Sequence, residues 1–183
     1  MGNGFDKITE KIYLGDYTAA TEIQKLKDTG ITKVLTVMDY EGGPKYNSDE
    51  FTHKRFKVMD DEHQNIIQYF GECLNYMKED KKILVHCMAG ASRSATIVIA
   101  YLMWTEKLKF VKAFDFVKEK RPIVCPNMGF QDQLKLFEKL LVDNNYDIDK
   151  INFSEIKWEP SQKLIEIHCN LLRNFYIKSI NIV

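Results

Sequence analysis

Between residues 83 and 104 the chain passes through three kinds of sequence in a fixed order. Ile83-Leu84-Val85 is a short apolar run. His86-Cys87-Met88-Ala89-Gly90-Ala91-Ser92-Arg93-Ser94 is a stretch of mostly small and polar residues. Residues 95–104 are apolar nearly all round. A ten-residue run with no polar face is a helix with nowhere to sit but the interior. A short apolar run ahead of it is a buried strand. Strand, loop and central helix together call for a layered α/β domain.

Other segments supply the partners. Ile12-Tyr13-Leu14-Gly15 reads as a strand ended by a turn. Residues 17–28 have helical spacing, with Gly30 as a stop. Val34-Leu35-Thr36-Val37 is a second buried strand, residues 41–48 are a loop around Gly42-Gly43-Pro44, and Phe56-Lys57-Val58-Met59 looks like another strand. Apolar residues at Ile66, Tyr69, Phe70, Cys73, Leu74 and Met77 predict an amphipathic helix over 65–78. Residues 111–119 and 129–141 predict two more, separated by Arg121-Pro122. Strands alternating with helices predict an α/β fold whose central, mostly parallel sheet has about four to five strands flanked by helices. Ligand loops of such sheets gather at the carboxyl ends of the strands. The expected domain covers residues 1–142. After the polar break at Asp143-Asn144-Asn145-Tyr146-Asp147, residues 143–183 are expected to form a C-terminal extension packed on the domain or trailing it. Residues 164–183 fit helix and strand templates equally.

The loop itself carries chemistry. From Cys87 to Arg93 the small residues let backbone N–H groups curl inward as an anion nest. The helix that follows presents its positive end, and Arg93 offers a planar fork for two phosphate oxygens. The same field stabilises a thiolate, the nucleophilic form of cysteine. Met88, Ala89, Gly90, Ala91, Ser92 and Arg93 are therefore the expected phosphate-binding residues, Cys87 is the nucleophile, and Ser94 is placed to donate its hydroxyl to the sulfur. His86 is expected to orient the loop by hydrogen bonds. A leaving alkoxide or phenoxide needs a proton, and Asp60 and Asp61 both follow the 56–59 strand, where an acid can reach the pocket; position alone does not choose between them, since either could cap the next helix.

Bulk properties exclude other classes. Lys+Arg and Asp+Glu both number 26, so the formal net charge is zero, which argues against a nucleic-acid binder. Cys73, Cys87, Cys125 and Cys169 form no C-x-x-C pair, and His168-Cys169 alone cannot complete a tetrahedral site, so no metal or cofactor is expected. No secretory leader or bilayer-length apolar segment is read, which predicts a cytoplasmic protein with reduced thiols. Met1-Gly2-Asn3-Gly4-Phe5-Asp6 begins like an N-myristoylation site, with Asp6 where Ser or Thr is usual, so an acylated Gly2 would bring membrane association.

These motifs resemble the dual-specificity protein tyrosine phosphatases. Residues 86–96 are similar to that family's phosphate loop. The likeness extends through Ala100-Tyr101-Leu102-Met103, Pro126-Asn127-Met128-Gly129-Phe130 and Gln133-Leu134, and covers roughly residues 7–141. The resemblance implies a cysteine phosphatase fold and a phosphocysteine on Cys87. It assigns the general acid to Asp60, five residues before Asn65, and a loop-supporting role to Asn127. The implied substrates are proteins bearing phosphotyrosine, phosphoserine or phosphothreonine. The Met-Gly-Asn-Gly start is similar to small atypical members that are myristoylated. A phosphoinositide phosphatase would want lysines inside the loop, and there are none. An RNA 5′-phosphatase would want a basic surround. A phosphoprotein-binding module of this kind would have lost the cysteine or the arginine. A redox pairing of Cys87 with Cys73 or Cys125 remains a further alternative.

Overall fold

The computed structural model of the chain describes residues 4–39 and 42–160. Five strands form one sheet in the order β1-β2-β5-β3-β4. They are β1 (Phe5–Lys7), β2 (Ile12–Gly15), β3 (Lys33–Val37), β4 (Thr52–Phe56) and β5 (Ile83–His86). All neighbours run parallel except β1, which is antiparallel to β2. The central strand β5 is buried at every position, as expected where helices cover both faces of a parallel sheet.

The period-2 alternation of strand side chains sorts two cores. Leu14, Leu35 and Val85 face the larger one, under α3 (Phe70–Met77), α4 (Arg93–Thr105), α5 (Phe110–Lys120) and α6 (Met128–Asp143). Tyr13, Val34 and Leu84 face the smaller one, with Ala20 of α1 (Tyr17–Thr21) and Leu26 of α2 (Ile23–Thr29). Helix α4 is buried along most of its length, so the all-apolar run occupies the centre of the larger layer.

Several elements differ from the sequence reading. The strand expected at 56–59 lies instead at β4, whose Thr52-His53-Lys54-Arg55 stretch is polar. It is an edge strand paired only to β3, so charge there is tolerated and useful. The expected helix 17–28 is two helices broken at Glu22, whose ψ of 64° is not helical. Helix α3 begins at Phe70 rather than near Asn65. Residues Ile67–Tyr69 ahead of it form a 3-10 turn, and Gln133 Oε1 accepts from the N–H groups of both Ile66 and Ile67 (2.9 and 3.0 Å), donors that a helix start leaves without an intrahelical partner. Strand β1 was too short to leave a period.

Beyond α6 the chain reverses through Asn145 and Tyr146, both left-handed. It then lays Ile148, Ile151 and Phe153 into the larger core. Gly2, His168-Cys169 and residues 161–183 lie outside the described residues.

Candidate active site

The parallel strands end together. Gly15 of β2 and Thr36 of β3 each pair with His86 of β5, and Val37 pairs with Phe56 of β4. Cys87 therefore emerges at the carboxyl edge of the sheet, and the chain leaving β4 brings Asp60 to the same edge.

The loop between β5 and α4 is shaped from outside by its carbonyl groups. Met88 O accepts from Tyr17 N–H (3.1 Å), and Ala91 O accepts from Cys125 N–H (2.9 Å). The fully buried Arg121 donates from Nη2 to Ala89 O (3.2 Å) and from Nε to Gly90 O (2.9 Å). In a trans peptide unit the C=O of one residue and the N–H of the next point in opposite directions. Four carbonyls drawn outward therefore turn the N–H groups of Ala89, Gly90, Ala91 and Ser92 toward the concave side. The one such contact visible is Gly90 N–H donating to Cys87 Sγ at 3.2 Å. Gly90 has φ +68°, and a Cβ there would collide with the Gly15 carbonyl, so this position needs glycine.

The sulfur is buried and receives a second hydrogen bond, from Ser94 Oγ at 3.1 Å. Helix α4 starts at Arg93 and directs its positive end at the loop. Arg93 Nη1 donates to Val58 O (3.2 Å). Its Nε lies 3.5 Å from Asp60 Oδ2, within ionic reach, but it is buried and makes no hydrogen bond. A buried donor with no acceptor costs about 1–3 kcal/mol, and a phosphate oxygen would relieve it. The Arg93 side chain is 13% exposed, enclosed enough for that pairing to count.

Asp60 is brought to this cluster. Its Oδ1 accepts from Ser92 Oγ (2.6 Å) and Asn127 Nδ2 (3.0 Å). Asn127 caps α6 by accepting from Phe130 N–H (2.9 Å), and its own N–H donates to Ser92 Oγ (3.2 Å). Asp61 points elsewhere, accepting from the backbone and ring of His63. Of the two carboxylates only Asp60 contacts the loop.

His86 is fully buried under the loop. Its Nδ1 lies 3.4 Å from Cys87 O, and its Nε2 lies 2.7 Å from Thr36 Oγ1, which is 2.8 Å from His53 Nε2. The pattern is satisfied when His53 donates to Thr36, Thr36 donates to His86, and the His86 Nδ1–H faces Cys87 O. Burial pulls both rings down to about 4, so they are neutral at physiological pH.

Cys73, Cys87 and Cys125 are all free thiols. Cys73 sits inside α3, where burial pushes its thiol well above the usual range, making it inert.

The structure thus gathers Cys87, Arg93, Ser94, Asp60 and Asn127, with residues 88–92 wrapped between them. Sequence reasoning missed Arg121, Thr36, His53 and Gln133. Arg121 had one available signal: an arginine between helix end and proline, in a region otherwise patterned for burial.

The family described as "Dual specificity phosphatase, catalytic domain" matches residues 12–140. Dual specificity protein phosphatase 1 of Arabidopsis thaliana is 40% identical over 136 residues, covering 72% of this chain and 68% of the relative. Dual specificity protein phosphatase 19 of Mus musculus is 38% identical over 131 residues, 69% of this chain and 59% of the relative. The crystal structure of DUSP15 superposes with a TM-score of 0.71 at 30% identity, covering 82% of this chain and 99% of that one. The chain is therefore similar over most of its length to catalytic domains, and spans 68% and 59% of the lengths of these two curated relatives.

Proposed function

The chain belongs to the dual specificity phosphatase family, and we propose that it removes phosphate from tyrosine and from serine or threonine side chains of proteins through a phosphocysteine on Cys87. The observation that carries this reading is the outward tethering of the carbonyls of residues 88–91 around a sulfur that receives two hydrogen bonds.

In the first step the phosphate sits against the inward N–H groups, with Arg93 Nε taking one of its oxygens. The Cys87 thiolate attacks phosphorus in line, and an S–P bond forms as the P–O bond to the side chain breaks. The departing oxygen takes a proton from Asp60. Oδ2 is the oxygen placed to carry it, because Oδ1 is already held by Ser92 and Asn127. In the second step water attacks phosphorus, Asp60 accepts its proton, and the sulfur leaves as a thiolate stabilised by the Ser94 hydroxyl and the Gly90 N–H.

Met88, Ala89, Ala91 and Ser92 bring no cation into the loop, which favours single-phosphate side chains over phosphoinositides. Among the described residues no helix is long and apolar enough to cross a membrane. The Met1-Gly2-Asn3-Gly4 start supports acylation of Gly2 on a cytoplasmic enzyme held at a membrane surface, for which one acyl chain gives only reversible binding. Turnover is tested with phosphotyrosyl and phosphothreonyl peptides and a phosphoinositide. The wild type should hydrolyse both peptides, Cys87→Ser neither, and preference for the lipid would overturn the assignment. Intact mass of protein from a eukaryotic host tests the acyl group.

A further inference from the structure

The loop that carries Asp60 is gripped from a part of the chain outside the family match. Helix α6 runs three residues past the matched region, and residues 144–160 follow it. This segment is anchored by buried Ile148, Ile151 and Phe153, the last packed on Phe137 with ring centroids 6.0 Å apart. From that anchor it turns back over the acid loop and touches it twice. The half-buried Trp158 donates its indole Nε1–H to Glu62 O at 3.0 Å, and Ile156 O accepts from Asn65 Nδ2 at 2.7 Å.

Glu62 lies two residues after Asp60, and its carbonyl is bracketed. On one side is Trp158. On the other is Gly129 in the first turn of α6, where a Cβ would collide with that same carbonyl. Glycine here lets loop and helix meet backbone to backbone, two residues from Asn127, which holds the Asp60 carboxylate. The two ends of the loop are fixed independently. Val58 O accepts from Asp39 N–H at the end of the sheet (3.0 Å), and Gln64 O accepts from Gln133 Nε2 (2.9 Å). Between these ends Met59, Asp60 and Asp61 are exposed. Such a stretch otherwise samples many conformations, and catalysis is sensitive to small displacements of an acid.

We propose that Trp158 is a positioning residue for the general acid, holding the 59–64 loop against α6 so that Asp60 faces the ester oxygen. The inference rests on the reading of Asp60 as that acid. Trp158 bonds the Glu62 carbonyl, two residues from Asp60, and acts through that loop. Its effect on phosphoenzyme formation, read as kcat/KM, therefore grows as the leaving group becomes more basic, while any effect on the second step, where Asp60 takes the proton of water, is the same for every substrate.

The test is steady-state kinetics of the full chain on two aryl phosphates, phenyl phosphate and dinitrophenyl phosphate. Phenolate needs protonation to depart and dinitrophenolate does not. Trp158→Phe keeps the ring and removes the donor; Trp158→Ala removes both; Asp60→Asn is the reference. Trp158→Phe should lower kcat/KM on phenyl phosphate on the order of three- to tenfold, the range a single neutral hydrogen bond supports. It should leave kcat/KM on dinitrophenyl phosphate within about twofold. Trp158→Ala should show the same split, larger. Equal losses on both substrates, which misfolding would also produce, overturn the proposal, as does an unchanged rate on phenyl phosphate. If Asp60→Asn itself shows no split between the substrates, the acid assignment fails and the brace fails with it. A split for Asp60→Asn without one for Trp158→Phe removes the brace alone.

Discussion

Arg121→Met removes the group that shapes the phosphate loop while nearly preserving the volume of a fully buried side chain. Two carbonyl acceptors, Ala89 O and Gly90 O, lose their donor inside the protein. Each such loss costs about 1–3 kcal/mol. Arg121 Nη1 also pairs with Asp6 Oδ2 at 2.6 Å, but the Asp6 side chain is 44% exposed, so solvent screening leaves that pair worth about 1 kcal/mol or less. The sum is about 2–7 kcal/mol, a large part of the ~5–15 kcal/mol stability of an ordinary domain. Urea unfolding followed by tryptophan fluorescence measures it. A second consequence separates shaping from general stability. With Ala89 O and Gly90 O released, the Gly90 and Ala91 N–H groups are no longer turned inward. The inhibition constant for inorganic phosphate should then rise by about tenfold or more under conditions where the variant is fully folded, since even one charge-assisted donor contributes about 1.5–3 kcal/mol. A destabilisation below about 1 kcal/mol, or phosphate inhibition unchanged in the folded variant, would refute the reasoning from tethered carbonyls.

Gly90→Ala meets both a left-handed backbone and the Gly15 carbonyl. It should cost more than the ~1–2 kcal/mol of the conformation alone and abolish aryl phosphatase activity, as thermal unfolding and turnover will show. Ser94→Ala removes a hydroxyl donor from the sulfur; breakdown of the phosphoenzyme should slow about tenfold or more while its formation changes little, read as a pre-steady-state burst. His53 and His86 are held at about 4 by burial, below their ordinary 6.5. The unfolded chain therefore binds more protons than the folded one between those values. Their contribution to stability is fully present above about 6.5 and is lost as pH falls toward 4. Urea midpoints of His86→Gln should be flatter over that window than those of wild type, and parallel curves would argue against neutral burial.

The loop was legible because its chemistry is contiguous. Cys87, Gly90, Arg93 and Ser94 fall within eight residues, so their order alone implies a nest with a nucleophile at its base. Helix α4 was legible for a similar reason, since a ten-residue run apolar at every position but Thr96 admits one location. Asp60 was harder. Position left it level with Asp61, and family likeness separated them; in the structure the separation is the contact with Ser92 and Asn127. Arg121, Thr36, Gln133 and Trp158 reach their partners across long stretches of chain. No local pattern marks such residues, because what selects them is a carbonyl or ring nitrogen supplied by another element. Strand β4 was misplaced for a different cause. An edge strand buries little, so hydropathy was drawn to Phe56 and Val58, whose backbone merely continues the ladder through Met38 and Asp39.

Hydrolysis through a covalent phosphocysteine is tested most directly by quenching Ser94→Ala with acid during turnover of a phosphotyrosyl peptide and mapping the digest by mass spectrometry. The peptide containing Cys87 should carry one added phosphoryl group, localised to the cysteine and absent from Cys87→Ser treated identically. Steady turnover with no phosphoryl adduct at any quench time, or an adduct on another residue, would contradict it.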